Sequence, residues 1–219
     1  MSTVPYVTEA RSANDAAGSL PREVRAFVKL LTGRMGSLPG EAIVRVLVTG
    51  GAGYIGSHAV RLLVRAGHDV WVYDNLSLGH RAAVPQDRLI EVELMDRPRV
   101  IEALSSQGIE AVMHFAAIAA VGESVADPAK YYQNNVVASL NLLEAMRAAG
   151  VKQIVFSSTT ATYGNPQRVP ITEDEPQKPI NPYGFAKLVI ERALADYAAA
   201  YGLAYVALRY FNAAGASPD

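Results

Sequence analysis

From Val44 onward, short apolar runs alternate with longer stretches of helical spacing. The runs are "VRVLVTG", "DVWVYD", "LIEVEL", "AVMHFA", "QIVFSS" and "AYVALRYF". Between them the apolar positions at Tyr54–Ala66, Arg97–Ser106, Pro128–Ala149 and Pro182–Tyr201 recur three and four residues apart, which predicts helices. The runs are β-rich and lack strict alternation of apolar and polar residues, as strands covered on both faces do. Strand and helix taking turns in this way predicts an α/β fold with a doubly wound parallel sheet and helices on both faces. No repeat of fixed period interrupts the pattern.

Residues 1–43 do not share it. They are rich in Ser, Ala, Gly and Arg, with one helical pattern at Glu23–Leu31 that puts Val24, Phe27, Val28 and Leu31 on one face. "TGRMGSLPGE" then reads as linker. The chain therefore divides into an N-terminal extension, 1–43, and one domain, 44–219. Composition narrows the function classes. Half of the 219 residues are hydrophobic, enough for a sizeable core, and the net charge of −1 offers nothing to nucleic acid or an anionic membrane. There is no cysteine, which removes disulfides, thiolate metal sites and cysteine nucleophiles. His58, His68, His80 and His114 show no ligand spacing, so no metal is expected. No run is long enough to span a membrane, and the N-terminus does not read as a secretory signal; a cytoplasmic location is expected.

The first chemical signal is "VLVTGGAGYIGSH", in which Gly50, Gly53 and Gly56 fall three apart between a strand and a helix. Glycines there permit a tight turn and let backbone N–H groups approach a pyrophosphate, which the helix N-terminus also favours. Asp74 ends the next strand, where a carboxylate can bond both ribose hydroxyls of NAD and would repel the extra phosphate of NADP. Turn and acid together predict a Rossmann-like dinucleotide site; the alternative is a structural turn followed by a strand-ending Asp. The second signal is Tyr183 and Lys187, one helical turn apart after "NP". A nearby ammonium favours phenolate and would make the tyrosine a general base. The same spacing also fits a solvated lysine above a core tyrosine. The third is "SSTTATYGNP", Ser157–Pro166, delivered by the end of a strand to the sheet edge where open α/β folds bind ligands.

In chain order, "VTGGAGYIGSH", "DNLSLGH", "HFAAIAAVGESVADPAKYYQNNV", "FSSTTATYGNP", "NPYGFAK" and "LRYFNAAGA" together resemble the extended short-chain dehydrogenase/reductases. Within them the likeness is strongest to the NAD-dependent epimerases that invert C4 of UDP-glucose and UDP-galactose in galactose metabolism. It runs from about Val44 to Ala216. The resemblance implies that Tyr54 and Ile55 contact the pyrophosphate with the three glycines, and that Asp74, Asn75, Leu76 and Ser77 hold the adenosine ribose. Phe115, Ala116, Ala117 and Ala119 would lie along the cofactor, Asn134 would contact it, and Phe211 would flank the nicotinamide. Thr159 stands at the family's catalytic hydroxyl, Tyr183 at its base and Lys187 at its partner, all three also touching NAD; Thr159, Tyr183 and Asn212 would contact the nucleotide sugar. Ser157, Ser158 and Thr160 would instead finish the strand and cap backbone groups. Pairing of helices 128–149 and 182–201 across a two-fold axis, giving a homodimer, is a further family habit.

Departures from the family pattern also carry expectations. Glu93, followed by Leu94, replaces the usual Asp at the adenine, and Ala119 stands where some members have Lys. The family's chain continues past "RYFNAAGA" into a smaller substrate region, so a chain ending at Asp219 reads as truncated or split. "VRVLVTGG" resembles a family start with Val for Met, so the extension reads as an artefact of the assigned start. Two rivals stand beside the epimerase. A nucleotide-sugar dehydratase needs acids after the catalytic Thr, where this chain has Thr160 and Ala161. A non-catalytic NAD-binding module fits the short length but not the intact Thr159, Tyr183 and Lys187.

Overall fold

The computed structural model of the protein describes residues 7–11 and 43–216. The sheet has seven strands: β1 (Val7–Arg11), β2 (Arg45–Thr49), β3 (Asp69–Asp74), β4 (Leu89–Glu91), β5 (Ala111–His114), β6 (Gln153–Ser157) and β7 (Ala204–Arg209). Their spatial order is β1-β7-β6-β5-β2-β3-β4. β2 to β7 are mutually parallel. β1 pairs antiparallel with β7 from Val7 opposite Arg209 to Arg11 opposite Tyr205, an edge strand the sequence pattern did not announce. The helical pattern at 23–31 and the linker after it lie outside the described residues.

The strands lack alternation because both faces are buried. Val46 and Val48 pack on one side with Val70, Val72, Met113 and Val206 against Ala59, Val60 and Leu63 of the helix Tyr54–Arg65. Leu47 points the other way, into a second core with Tyr73, Val112, Ile154 and Phe156. That core is closed by the helices Arg97–Ser106, Ala138–Ala149 and Pro182–Tyr201. The doubly wound arrangement follows directly from this two-sided patterning.

Three helices begin at an Asp or Asn followed by Pro in the first turn, and in each the capping oxygen accepts a backbone N–H: Asp96 from Arg99, Asp127 from Lys130 and Asn181 from Gly184. The run "LIEVEL" keeps strand pairing only over Leu89–Glu91, on the sheet edge, before the chain turns towards the helix cap at Asp96. The helical stretch from Pro128 contains a π turn, Tyr132–Val137, between the α segments Pro128–Tyr131 and Ala138–Ala149. A short helix at Val121–Ala126 was not visible in the pattern; six residues give too little period to read.

Strand order reverses between β2 and β5. The chain winds from β2 out to β3 and β4 on one side, and from β5 to β6 and β7 on the other. At such a switch point the loops after the two central strands diverge and leave a crevice at the carboxyl ends.

Candidate active site

A cavity of about 440 Å³ opens at that crevice, within the range of small-molecule sites. Its floor is the turn after β2. Gly50 has φ +70°, and a Cβ on it would come within 2.5 Å of the Ala116 backbone nitrogen in the loop after β5. A Cβ on Gly56 would lie 2.1 Å from the Gly50 carbonyl oxygen. Both positions therefore exclude a side chain, one through backbone conformation and close approach, the other through helix-to-turn packing. Gly53 is the N-cap of the helix Tyr54–Arg65 and supplies no side chain to cap it. The first-turn N–H groups lack intrahelical acceptors and no acidic residue occupies that turn, so the helix end presents donors and a positive dipole.

The far wall comes from β3 and β4. Asp74 is buried, and its carboxylate accepts N–H bonds from Ala52 (3.0 Å) and Leu76 (2.8 Å). Leu76 has φ +58°, unusual for a branched side chain and held there by the Asp74 bond. The Asn75 amide donates to both Glu93 oxygens, at 2.9 and 3.0 Å, and its own oxygen accepts from the Ser77 backbone and hydroxyl. Asp74, Asn75, Ser77, Glu93 and Leu94 line the cavity; Leu76 does not.

The loop after β5 forms the roof, with Phe115, Ala116, Ala117 and Ala119 on the cavity. It is pinned by Asn135, whose side chain accepts from Ile118 N–H and donates to the Ile118 carbonyl, each at 2.9 Å. Asn135 lies in the π turn beside the cavity-lining Asn134, which donates to it at 3.0 Å. π turns insert where a helix must redirect a side chain, and here the redirected pair faces the loop. Asn135 was missed by sequence reasoning; the one available signal was a third consecutive amide in "QNNV", next to Val136.

The opposite end of the cavity joins β6, β7 and the helix Pro182–Tyr201. Tyr183 and Lys187 line the cavity with Ser157 and Tyr210. Burial pushes the Tyr183 phenol above its ordinary value, and a hydrogen bond with Thr159 pulls against that rise. Thr159 Oγ1 accepts the Ala161 N–H at 3.1 Å, which leaves its own proton for the tyrosine oxygen. Thr159 itself does not line the cavity.

Lys187 reaches past the phenol to the end of β6. Its Nζ donates to the Ser157 carbonyl at 2.8 Å, and lies 4.9 Å from the Phe156 ring centre and 5.9 Å from that of Tyr183. Burial lowers its pKa to about 7, with Glu191 opposing the fall, so close to neutrality the ammonium is only partly charged. Lys187 is thus buried rather than solvated, with the Tyr183 ring within cation–π reach, and it ties the helix to the end of β6.

The other hydroxyls sort differently from expectation. Ser157 Oγ meets the Tyr210 hydroxyl, and Ser158 Oγ donates to Glu191, so both engage side chains rather than backbone. Thr160 does cap backbone: its hydroxyl donates to the Tyr210 carbonyl at 3.4 Å. Phe211 and Asn212 follow Tyr210 but are exposed and do not line the cavity. Among the described residues no cluster of three metal-ligating side chains occurs, and no helix is long and apolar enough to cross a membrane.

Comparison with known proteins agrees with this architecture. Residues 46–219 match the NAD dependent epimerase/dehydratase family. The UDP-glucose 4-epimerase of Corynebacterium glutamicum is 58% identical over 174 residues, covering 79% of this chain and 52% of that protein. The crystal structure of UDP-glucose 4-epimerase from Brucella ovis in complex with NAD superposes with a TM-score of 0.78 at 55% identity, covering 80% of this chain and 54% of that one. The enzyme of Thermotoga maritima, solved with UDP-glucose, gives 0.71 at 41% identity, with 74% and 53% covered. The chain thus spans about half the length of the relatives it matches. A match over most of the chain, on a sheet whose switch point carries the glycine turn, shows that this chain belongs to the NAD dependent epimerase/dehydratase family.

Proposed function

We propose that this chain carries the NAD site and the catalytic hydroxyls of a UDP-glucose 4-epimerase, inverting C4 of UDP-glucose or UDP-galactose through a 4-keto sugar. One observation carries the proposal: a single cavity joins the side-chain-free glycine turn and buried Asp74 at one end to Tyr183 and Lys187 at the other, where the Thr159 hydroxyl acts on the phenol. The glycine cradle fits a pyrophosphate, since any Cβ at Gly50 or Gly56 would fill it. Asp74, fixed by two backbone donors, fits the adenosine ribose of NAD.

Bound NAD supplies the acceptor for the C4 hydride and its return. Tyr183 takes the 4-hydroxyl proton and later gives it back, acting as general base and acid. Thr159 stabilises the phenolate through the bond that already opposes the effect of burial. Lys187 fixes the helix against Ser157 and holds Tyr183 in register. Phe211 and Asn212 are assigned the nicotinamide side and the sugar diphosphate, reached from the strand end at Tyr210.

The dehydratase alternative is disfavoured because the carboxylates lining the cavity, Asp74 and Glu93, stand at the adenosine end, away from Tyr183. A homodimer through helices 128–149 and 182–201 belongs to the same proposal, supported by exposed Tyr132, Val137, Phe185 and Tyr201, as does a cytoplasmic location. Sedimentation equilibrium tests the dimer. The function is tested by loading the chain with NAD and adding UDP-glucose or UDP-galactose. Growth of reduced-nicotinamide absorbance is expected; NAD binding with no reduction by either sugar would leave a binding module instead.

A further inference from the structure

Behind the reactive end lies a buried ion pair that the mechanism does not use. Arg209, at the end of β7, donates from Nη2 to Glu191 Oε2 at 2.6 Å and from Nε to Oε1 at 3.1 Å. The two side chains are 2% and 7% exposed. Both reach the segment that carries Thr159. Ser158 Oγ donates to Glu191 Oε1 immediately before Thr159. Arg209 Nη1 donates to the Tyr163 hydroxyl at 2.8 Å, at the end of the 3-10 turn Thr160–Tyr163. Gln177 completes the Glu191 carboxylate at 2.9 Å. Glu191 also stands one helical turn beyond Lys187 and two beyond Tyr183, on the same helix face.

We propose that Glu191 and Arg209 are positioning residues, gripping the Thr159 turn at Ser158 and Tyr163 and setting its register against the helix that carries Tyr183. A buried ion pair is a poor way to gain stability, since desolvation offsets most of the attraction. Its value here is geometric. One carboxylate is shared by the turn and by the tyrosine's helix, so a slip between them breaks charge-assisted bonds. The proposal rests on Thr159 and Tyr183 being the reacting pair, but its test needs neither NAD nor sugar.

The test places 3,5-difluorotyrosine at position 183 of the full chain, where the fluorinated phenol titrates in an accessible range, and follows it by fluorine NMR. Thr159→Val sets the scale: removing the hydroxyl that opposes the effect of burial raises the titration midpoint by about one unit. Ser158→Ala, which leaves the ion pair intact, and Glu191→Gln are both expected to raise it by at least half as much. Should Glu191→Gln fail to fold, Ser158→Ala decides alone. A midpoint unchanged in Ser158→Ala, with only the melting temperature lowered, would overturn the proposal and leave the pair a structural one. An unchanged midpoint in Thr159→Val would overturn it too. NAD binding, measured separately, tells a failure here from a failure of the proposed function.

Discussion

His114 ends β5, next to the loop that roofs the cavity, and is fully enclosed. Its Nδ1 lies 2.6 Å from Thr49 Oγ1 and its Nε2 2.8 Å from Ser139 Oγ. Ser139 gives its own proton to the Asn135 carbonyl at 2.5 Å, so it can only accept from the ring. The imidazole is therefore neutral, with its proton on Nε2 and Thr49 donating to Nδ1. Burial, with the Lys187 charge adding to it, lowers the pKa from 6.5 to about 3. The unfolded chain takes up a proton near 6.5 and the folded chain does not, so the unfolded state binds more protons and stability falls as pH drops through this window. At about 1.4 kcal/mol per unit, the loss reaches about 2 kcal/mol by pH 5 and roughly 4 kcal/mol by pH 3.

Urea unfolding followed by the fluorescence of Trp71, the chain's one tryptophan, measures this between pH 7.5 and pH 5. Glu123, Glu144 and Asp174 are held below their ordinary carboxylate values by Lys130, Arg147 and Thr172 respectively, so they titrate beneath that window. His114→Gln is expected to be less stable at pH 7.5 by about 1–3 kcal/mol, from imperfectly satisfied Thr49 and Ser139, but to lose less stability on acidification. Equal slopes of stability against pH in the two proteins would refute a buried neutral imidazole.

Lys187→Met gives the complementary profile. With its pKa lowered from 10.5 to about 7, the folded lysine binds fewer protons than the unfolded one between those values, so wild-type stability gains from Lys187 as pH rises through that window. The variant should lose that contribution to the slope, read from the same unfolding curves. Asn135→Ala removes both side-chain bonds to Ile118 and should lower stability by about 2 kcal/mol while weakening NAD binding, as calorimetry would show.

Much of the fold was legible because the strands repeat a simple device, apolar on both faces, and the helices Arg97–Ser106 and Pro182–Tyr201 carry their starts in "DRP" and "NP". What escaped were features set by tertiary contact. β1 is defined by its pairing with β7 and not by any period of its own. The π turn depends on Asn135 meeting Ile118, seventeen residues away in the chain. At the site, the glycine turn and Asp74 could be read because each has a local backbone requirement. The direction of the Lys187 side chain could not. Spacing put it one turn from Tyr183, but the Ser157 carbonyl, thirty residues earlier, captures the ammonium. Glu191 and Arg209, eighteen residues apart, form their pair only where the fold buries them together.

The most direct measurement is calorimetric titration of the full chain with NAD, beside the Gly56→Ala variant. The added methyl would lie 2.1 Å from the Gly50 carbonyl, so the turn must open and its N–H groups leave the pyrophosphate position. We expect the wild-type chain to bind one NAD and the variant to bind at least about tenfold more weakly, equivalent to about 1.4 kcal/mol. No heat of binding from the wild type, or equal affinity in the variant, would contradict a dinucleotide site at this turn.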